Sequence, residues 1–168
     1  MDFIWHYASP LGGITLASDG DALTGLWFDG QKHFGAGLSA EAVERPLPVF
    51  DEAAHWLDAF FAGKNPGSTP RLDPRGTPFQ RAVWAALLSI PRGKTATYGD
   101  IARAVAPAGF PRASARAVGG AVGRNPISLI IPCHRVVGAD GSLTGYAGGI
   151  GRKRALLELE SKNQPRSL

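Results

Sequence analysis

A single cysteine, followed by a histidine and an arginine, is the most reactive group of residues in the sequence. Cys133 is the only cysteine among 168 residues, and His134 and Arg135 follow it directly. A thiolate is a strong nucleophile, and a nearby histidine can remove the proton of a thiol. Free cysteines also occur as small buried hydrophobes, so a purely structural Cys133 is the alternative. The polar residues that directly follow Cys133 favour a reactive cysteine over a structural one.

The apolar run before this cysteine predicts the element that holds it. Residues 127–131 are isoleucine- and leucine-rich, which is typical of a buried strand. Pro132 lacks the N–H that a sheet requires, so it ends the run. The sequence therefore predicts that Cys133 lies at the C-terminal end of a buried strand, close to an opening.

Composition limits the classes of protein to be considered. One cysteine excludes an intramolecular disulfide and a multi-cysteine zinc site, and we expect no metal and no cofactor. The free thiol, the absence of a basic secretory start and the lack of a long apolar stretch favour a cytoplasmic protein that does not enter a membrane. The net charge of +4 and the pI of about 9.6 indicate a polyanionic partner.

The first part of the chain predicts an antiparallel sheet and one helix. Residues 3–7, 13–17 and 22–28 are short aromatic and β-branched runs separated by turn-like residues. Residues 49–61 have apolar side chains at helical spacing.

A proline-rich segment then predicts a domain boundary. Residues 65–74 contain three prolines. We expect an N-terminal α/β domain over residues 1–70 and a C-terminal, mostly helical domain over residues 71–168.

The C-terminal part has two well-marked helix starts. Thr77 with Gln80 predicts a capping box, and Thr97 is predicted to cap a second helix that has Asp100 at its third position. A further helix over residues 114–122 follows a turn, so the pair is either a helix-turn-helix unit or an ordinary helical hairpin.

This last helix is rich in small residues. It carries Ala115, Ala117 and Gly119, with Arg116 as its one long side chain before Gly123. Small residues allow a helix to approach a narrow minor groove, where binding depends little on sequence. Close packing against the protein's own core is the alternative.

The end of the chain predicts a pocket wall and one more helix. The glycine-rich loop over residues 138–149 contains Tyr146 as its only aromatic residue. In the final helix, Lys153 and Glu160 share a face with Leu156 and Leu157. Glu160 could orient a histidine there, or it could be a surface glutamate near the chain end.

Together these residues resemble a known family. The sequence from Pro132 to Val137, PCHRVV, is similar to the active-site signature of the O6-alkylguanine-DNA alkyltransferases, the methylated-DNA–protein-cysteine methyltransferases. The similarity is close over residues 75–162 and general before residue 70. Its further matches are Arg116 to Ala121, Asn125-Pro126, Tyr146 with Gly148-Gly149, and Glu160.

The resemblance implies a fold and an activity. The fold is a ribonuclease-H-like N-terminal domain followed by a helix-turn-helix, winged-helix-like C-terminal domain. The activity is irreversible, single-turnover transfer of an alkyl group, chiefly methyl, from O6-alkylguanine, and also O4-alkylthymine, in DNA to Cys133. The alkylated base leaves the duplex first, because a stacked base hides the atom to be attacked.

The resemblance also assigns roles to the catalytic residues. His134 acts as the base through a bound water, and Glu160 holds its imidazole. Tyr146 donates to N3 of the guanine, and backbone groups around Cys133 and Val136 contact the edge of the base.

Further residues are implied in binding DNA. Arg116 replaces the flipped base, Tyr98 helps to rotate the 3′ phosphate, and Asn125 joins the helix-turn-helix unit to the active site. Ala115, Ala117, Gly119, Ala147 and Lys153 complete the implied binding set. Ala147 stands where some relatives have serine, so only its backbone N–H can donate to O6.

The implied partner is double-stranded DNA, bound in the minor groove by a monomer with possible cooperativity on DNA. Two alternatives stay open: a protein that binds the lesion without repairing it, and a helix-turn-helix regulator. The retained cysteine argues against the former, and the small residues of the 114–122 helix argue against the latter.

Overall fold

The structure is a computed structural model in which residues 1–162 are described. Three N-terminal strands, β1 (Phe3–Ser9), β2 (Gly12–Ser18) and β3 (Leu23–Phe28), form the predicted antiparallel meander. A short strand that the sequence did not indicate, β4 (Val43–Glu44), pairs parallel to β1, so the strand order is β3-β2-β1-β4. Helix α1 (Pro48–Phe61) contacts β1, β2 and β3 through its predicted apolar face.

Within residues 71–162, the C-terminal part contains four α-helices and a two-stranded parallel sheet. Helices α2 (Pro78–Leu87), α3 (Tyr98–Val105) and α4 (Ala115–Gly123) pack against one another, and α5 (Ile150–Lys162) ends the described chain. The small sheet pairs β5 (Ala96–Thr97) with β6 (Val136–Val137). No helix of residues 1–162 is long and apolar enough to cross a membrane.

Side-chain caps define where these helices begin. The predicted capping box at Thr77 and the predicted cap at Thr97 are confirmed: Thr77 accepts from the N–H of Gln80, and Thr97 accepts from the N–H of Asp100 in a second capping box. Ser114 accepts from the N–H of Ala117 at the start of α4. Each cap satisfies an N–H that the first helical turn leaves without a partner.

The predicted strand over residues 127–131 is wrong. The segment is a series of turns, and Cys133 lies in a 3-10 helix, Cys133–Arg135, rather than at a strand end. Leu129 has a φ of 71°, which is incompatible with an extended strand. The segment is nevertheless buried throughout, as the apolar run indicated.

Strand β3 joins the two parts of the chain. The N–H of Leu26 donates to the carbonyl of Pro126, and the N–H of Ser128 donates to the carbonyl of Leu26. On the same strand, Leu23 exchanges backbone hydrogen bonds with Arg71 and Asp73. The segment before the cysteine is thus fixed to β3 by one isolated bridge, between Leu26 and Ile127. One hydrophobic core extends through both domains.

Candidate active site

Cys133 is buried at the centre of the site. Only 4% of its surface is exposed, and burial raises the pKa of its thiol. Hydrogen bonds from Asn125 and Ser128 and the positive charge of Lys153 offset part of this effect. The thiol is therefore protonated at neutral pH, so a base has to remove its proton before the sulfur can act as a nucleophile.

His134 and Glu160 meet in the interior. The Nε2 atom of His134 lies 3.0 Å from Oε1 of Glu160, and neither side chain is exposed. Because Nε2 faces a carboxylate, it carries the ring proton and leaves a lone pair on Nδ1. That Nδ1 atom is buried and has no hydrogen-bond partner among residues 1–162. Burial lowers the pKa of His134, so the ring is neutral and can accept a proton.

Arg135 shares the same carboxylate, a contact that the sequence analysis missed. Its Nε atom lies 3.1 and 3.0 Å from the two oxygens of Glu160, and its Nη2 also contacts Oε2. Its Nη1 donates to the carbonyl of Ile90 at 2.6 Å. Burial raises the pKa of Glu160, but hydrogen bonds from His134 and Arg135 outweigh it and lower the pKa to about 2. The position directly after His134 was the only available signal for this role.

Lys153 is fully buried and anchors the glycine-rich loop. Its Nζ donates to the carbonyls of Val136, Thr144 (2.9 Å) and Gly145 (3.4 Å). Burial lowers its pKa, while the proximity of Cys133 raises it. As predicted, Lys153 and Glu160 lie on one buried face of α5 with Leu156, whereas Leu157 is only partly buried.

Asn125 fixes the segment that precedes the cysteine. Its side-chain amide donates to the carbonyl of Ile131 at 2.8 Å and accepts from the N–H of Ile127 at 3.0 Å. Both bonds are buried, and they hold the turns between α4 and Cys133. Val136 is also fully buried, and its carbonyl already accepts from Lys153.

A cleft of about 430 Å³ brings four of the predicted residues together. Its walls include Tyr98, Gly119, Tyr146 and Ala147. The hydroxyl of Tyr146 is buried without a hydrogen-bond partner among the described residues, and burial and the charge of Cys133 raise its pKa well above 10. The phenol of this cleft residue therefore keeps its proton and can donate a hydrogen bond.

The cleft wall also contains basic residues that the sequence analysis missed. Lys32 and His33 line it from the N-terminal domain, because the N–H of Lys32 donates to the carbonyl of Ala147 at 3.0 Å. The hydroxyl of Tyr98 donates to the carbonyl of Thr144 at 3.2 Å. Ala115, Arg116 and Ala117 do not line the cleft but lie exposed at the start of α4.

Known protein families match both parts of the chain. The family description "6-O-methylguanine DNA methyltransferase, ribonuclease-like domain" matches residues 5–74, and "6-O-methylguanine DNA methyltransferase, DNA binding domain" matches residues 78–162. The chain belongs to the methylated-DNA–protein-cysteine methyltransferase family.

Individual members of this family are similar over nearly the whole chain. The Methylated-DNA--protein-cysteine methyltransferase of Mycobacterium tuberculosis is 48% identical over 97% of this chain and 96% of its own length. That of Methanosarcina barkeri is 48% identical over 92% of this chain and 94% of its own. A crystal structure of Mycobacterium tuberculosis OGT in complex with DNA has a TM-score of 0.83 at 47% identity, covering 97% of this chain and 95% of that one.

Proposed function

We propose that the protein repairs DNA by transferring an alkyl group, chiefly methyl, from O6 of guanine to the sulfur of Cys133. The observation that carries this proposal is the buried group of Cys133, His134, Glu160 and Tyr146 beside a cleft in a chain of this family. O4-alkylthymine is a second substrate under the same proposal. The product is a thioether, so each molecule acts once.

The transfer is an in-line displacement at the alkyl carbon. The sulfur attacks, the C–S bond forms as the O6–C bond breaks, and the electron pair leaves with the guanine. Cys133 loses a proton and the guanine gains one, so the reaction is balanced without a cofactor. His134 takes the thiol proton at Nδ1 through a water, and Glu160 stabilises the imidazolium that forms.

The high pKa of Cys133 makes this reaction depend on proton transfer to His134. Thiolate forms only when His134 accepts the proton, and Lys153 and Asn125 then stabilise the anion. Tyr146 donates a hydrogen bond to N3 of the guanine and so stabilises the charge that develops on the leaving base. A buried protonated thiol also resists oxidation in the absence of a lesion.

The proposed DNA-binding surface is the exposed start of α4. Ala115 and Ala117 allow the helix to approach the minor groove, and Arg116 fills the space of the flipped base. Tyr98, Gly119 and Ala147 line the cleft that receives the base. Binding as a monomer with little sequence preference is part of this proposal.

The finer fold assignments and the domain boundary are proposals as well. The meander with a parallel fourth strand and a covering helix supports the ribonuclease-H-like class, and the β5–β6 pair beside α2, α3 and α4 supports a winged-helix-like class. The boundary at residues 70 and 71 lies in a segment that hydrogen-bonds to β3.

Mass spectrometry tests the proposed transfer. After incubation with duplex DNA containing O6-methylguanine, the peptide with Cys133 should gain one methyl group, and Cys133→Ser should gain none while still binding the duplex. An unmodified Cys133 in folded, DNA-bound protein would contradict transfer and favour a lesion-binding protein. Strong preference for one unmodified sequence over unrelated duplexes would favour a regulator.

A further inference from the structure

The cleft that contains Tyr146 has residues of both domains in its walls. Lys32 and His33 follow β3 in the N-terminal domain, and Arg124 follows α4 in the C-terminal domain. Tyr98 and Tyr146 lie in the same cleft. The N-terminal domain therefore contributes side chains next to the space that the flipped nucleotide is proposed to occupy.

These three basic residues have no acidic partner. Within residues 1–162, none of Lys32, His33 and Arg124 forms a salt bridge with an aspartate or glutamate. All three residues line the same cleft, and burial together with the charges of Arg124 and Lys32 lowers the pKa of His33. A concentration of positive charge without counter-charge in a concave surface attracts an anion.

The backbone holds this cluster in place. His33 has a φ of 61°, an uncommon conformation for a residue with a Cβ. The loop is fixed on one side by the N–H of Phe28, which donates to Oε1 of buried Gln31, and on the other by the bond from Lys32 to Ala147. Strain of this kind persists where surrounding contacts enforce it, and it occurs often at binding sites.

We propose that Lys32, His33 and Arg124 form a phosphate-binding site that holds the backbone of the DNA strand carrying the alkylated guanine. The inference rests on the proposed repair function and gives the N-terminal domain a direct part in it. Lys32 and Arg124 supply the charge, and the neutral imidazole of His33 supplies a hydrogen-bond donor. A phosphate on either side of a flipped nucleotide lies at the mouth of the pocket that takes its base, where this cluster is found.

Salt-dependent binding to an unmodified duplex tests the site without requiring transfer. For the double variant Lys32→Ala/Arg124→Ala we expect roughly tenfold weaker binding, and a slope of log K against log salt that is smaller by about 1.8. The control Lys64→Ala/Arg71→Ala removes two positive charges from residues outside the cleft, and it should keep the wild-type slope. Lys32→Arg should also keep it.

A second measurement separates phosphate binding from support of the pocket. The free base O6-benzylguanine has no phosphate, so the double variant should react with it at the wild-type rate while reacting more slowly with subsaturating alkylated duplex. His33→Gly, which tolerates the same backbone conformation and has no side-chain donor, should also weaken duplex binding without changing the free-base rate.

An unchanged salt slope in the double variant, or an equal loss in the control, would overturn the phosphate site. A free-base rate that falls as much as the duplex rate would also overturn it, because the residues would then support the pocket. Failure of the wild-type protein to alkylate Cys133 would instead refute the proposed function, and the binding measurement would remain valid.

Discussion

Glu160 is the residue whose replacement gives the sharpest test of the site. Its carboxylate has no exposed surface and contacts both His134 and Arg135. The pKa falls from an ordinary 4.5 to about 2, which corresponds to about 3 kcal/mol of extra stabilisation of the folded protein at neutral pH. We therefore expect Glu160→Gln to lower the free energy of unfolding at pH 7 by about 3 kcal/mol, because it leaves Arg135 buried without its counter-charge.

The pH dependence of this effect has a defined sign. A carboxyl group with a lowered folded-state pKa contributes its full stabilisation when the pH is above its unfolded-state pKa of 4.5. This contribution is lost as the pH falls towards the folded-state pKa of about 2. Between pH 7 and pH 3, wild type should lose about 2 kcal/mol more than Glu160→Gln. Subtracting the free energy of unfolding of Glu160→Gln from that of wild type at each pH cancels the contributions of the other acidic groups.

Urea denaturation at pH 7, 5, 4 and 3 provides the measurement. The matched control is Glu158→Gln, an exposed position on the same helix, which should change stability by less than about 0.5 kcal/mol. Arg135→Met combined with Glu160→Gln should recover much of the loss, since the uncompensated charge is then removed. A Glu160→Gln protein within about 1 kcal/mol of wild type at pH 7, or with the same decline in acid, would refute the reasoning.

Variants at three further positions have expected outcomes. Arg116→Ala should slow repair of duplex DNA by about 10- to 100-fold but leave the reaction with O6-benzylguanine nearly unchanged, because only in a duplex does the flipped base leave a gap for Arg116 to fill. Equal losses in the two reactions would make Arg116 a packing residue. Lys153→Met should move the pH–rate profile of Cys133 alkylation to higher pH, since a charge that lowers the thiol pKa is lost. An unmoved profile would mean that Lys153 only anchors the glycine-rich loop. Leu129→Ala should cost about 2–5 kcal/mol in urea denaturation. Leu129→Gly should be at least as stable as Leu129→Ala, the reverse of the usual order, because φ is 71° at this position; a less stable glycine variant would argue against that backbone conformation.

The amino-acid sequence by itself determined the elements that depend on neighbouring residues. The caps at Thr77 and Thr97, the meander and the amphipathic face of α1 follow from hydrogen bonds and spacings within a few residues. The same helical spacing placed Lys153 and Glu160 on one face of α5. The signature around Cys133 was sufficient to indicate the family.

Only the tertiary structure decided how the segment before the cysteine is held. Residues 127–131 have the composition of a strand, but within β3 only Leu26 forms backbone hydrogen bonds with them. The segment therefore forms turns, which the bridge to Leu26 and the hydrogen bonds of Asn125 hold in place. The raised pKa of Cys133 likewise results from burial by residues distant in sequence.

The same is true of the contacts that complete the site. Arg135 and His134 both contact Glu160, which lies 25 positions after Arg135 in the chain. Lys32 is held at the cleft by a backbone hydrogen bond to Ala147. Local periodicity carries no information about such pairs, because they form only when the two domains share one core and bring their loops together.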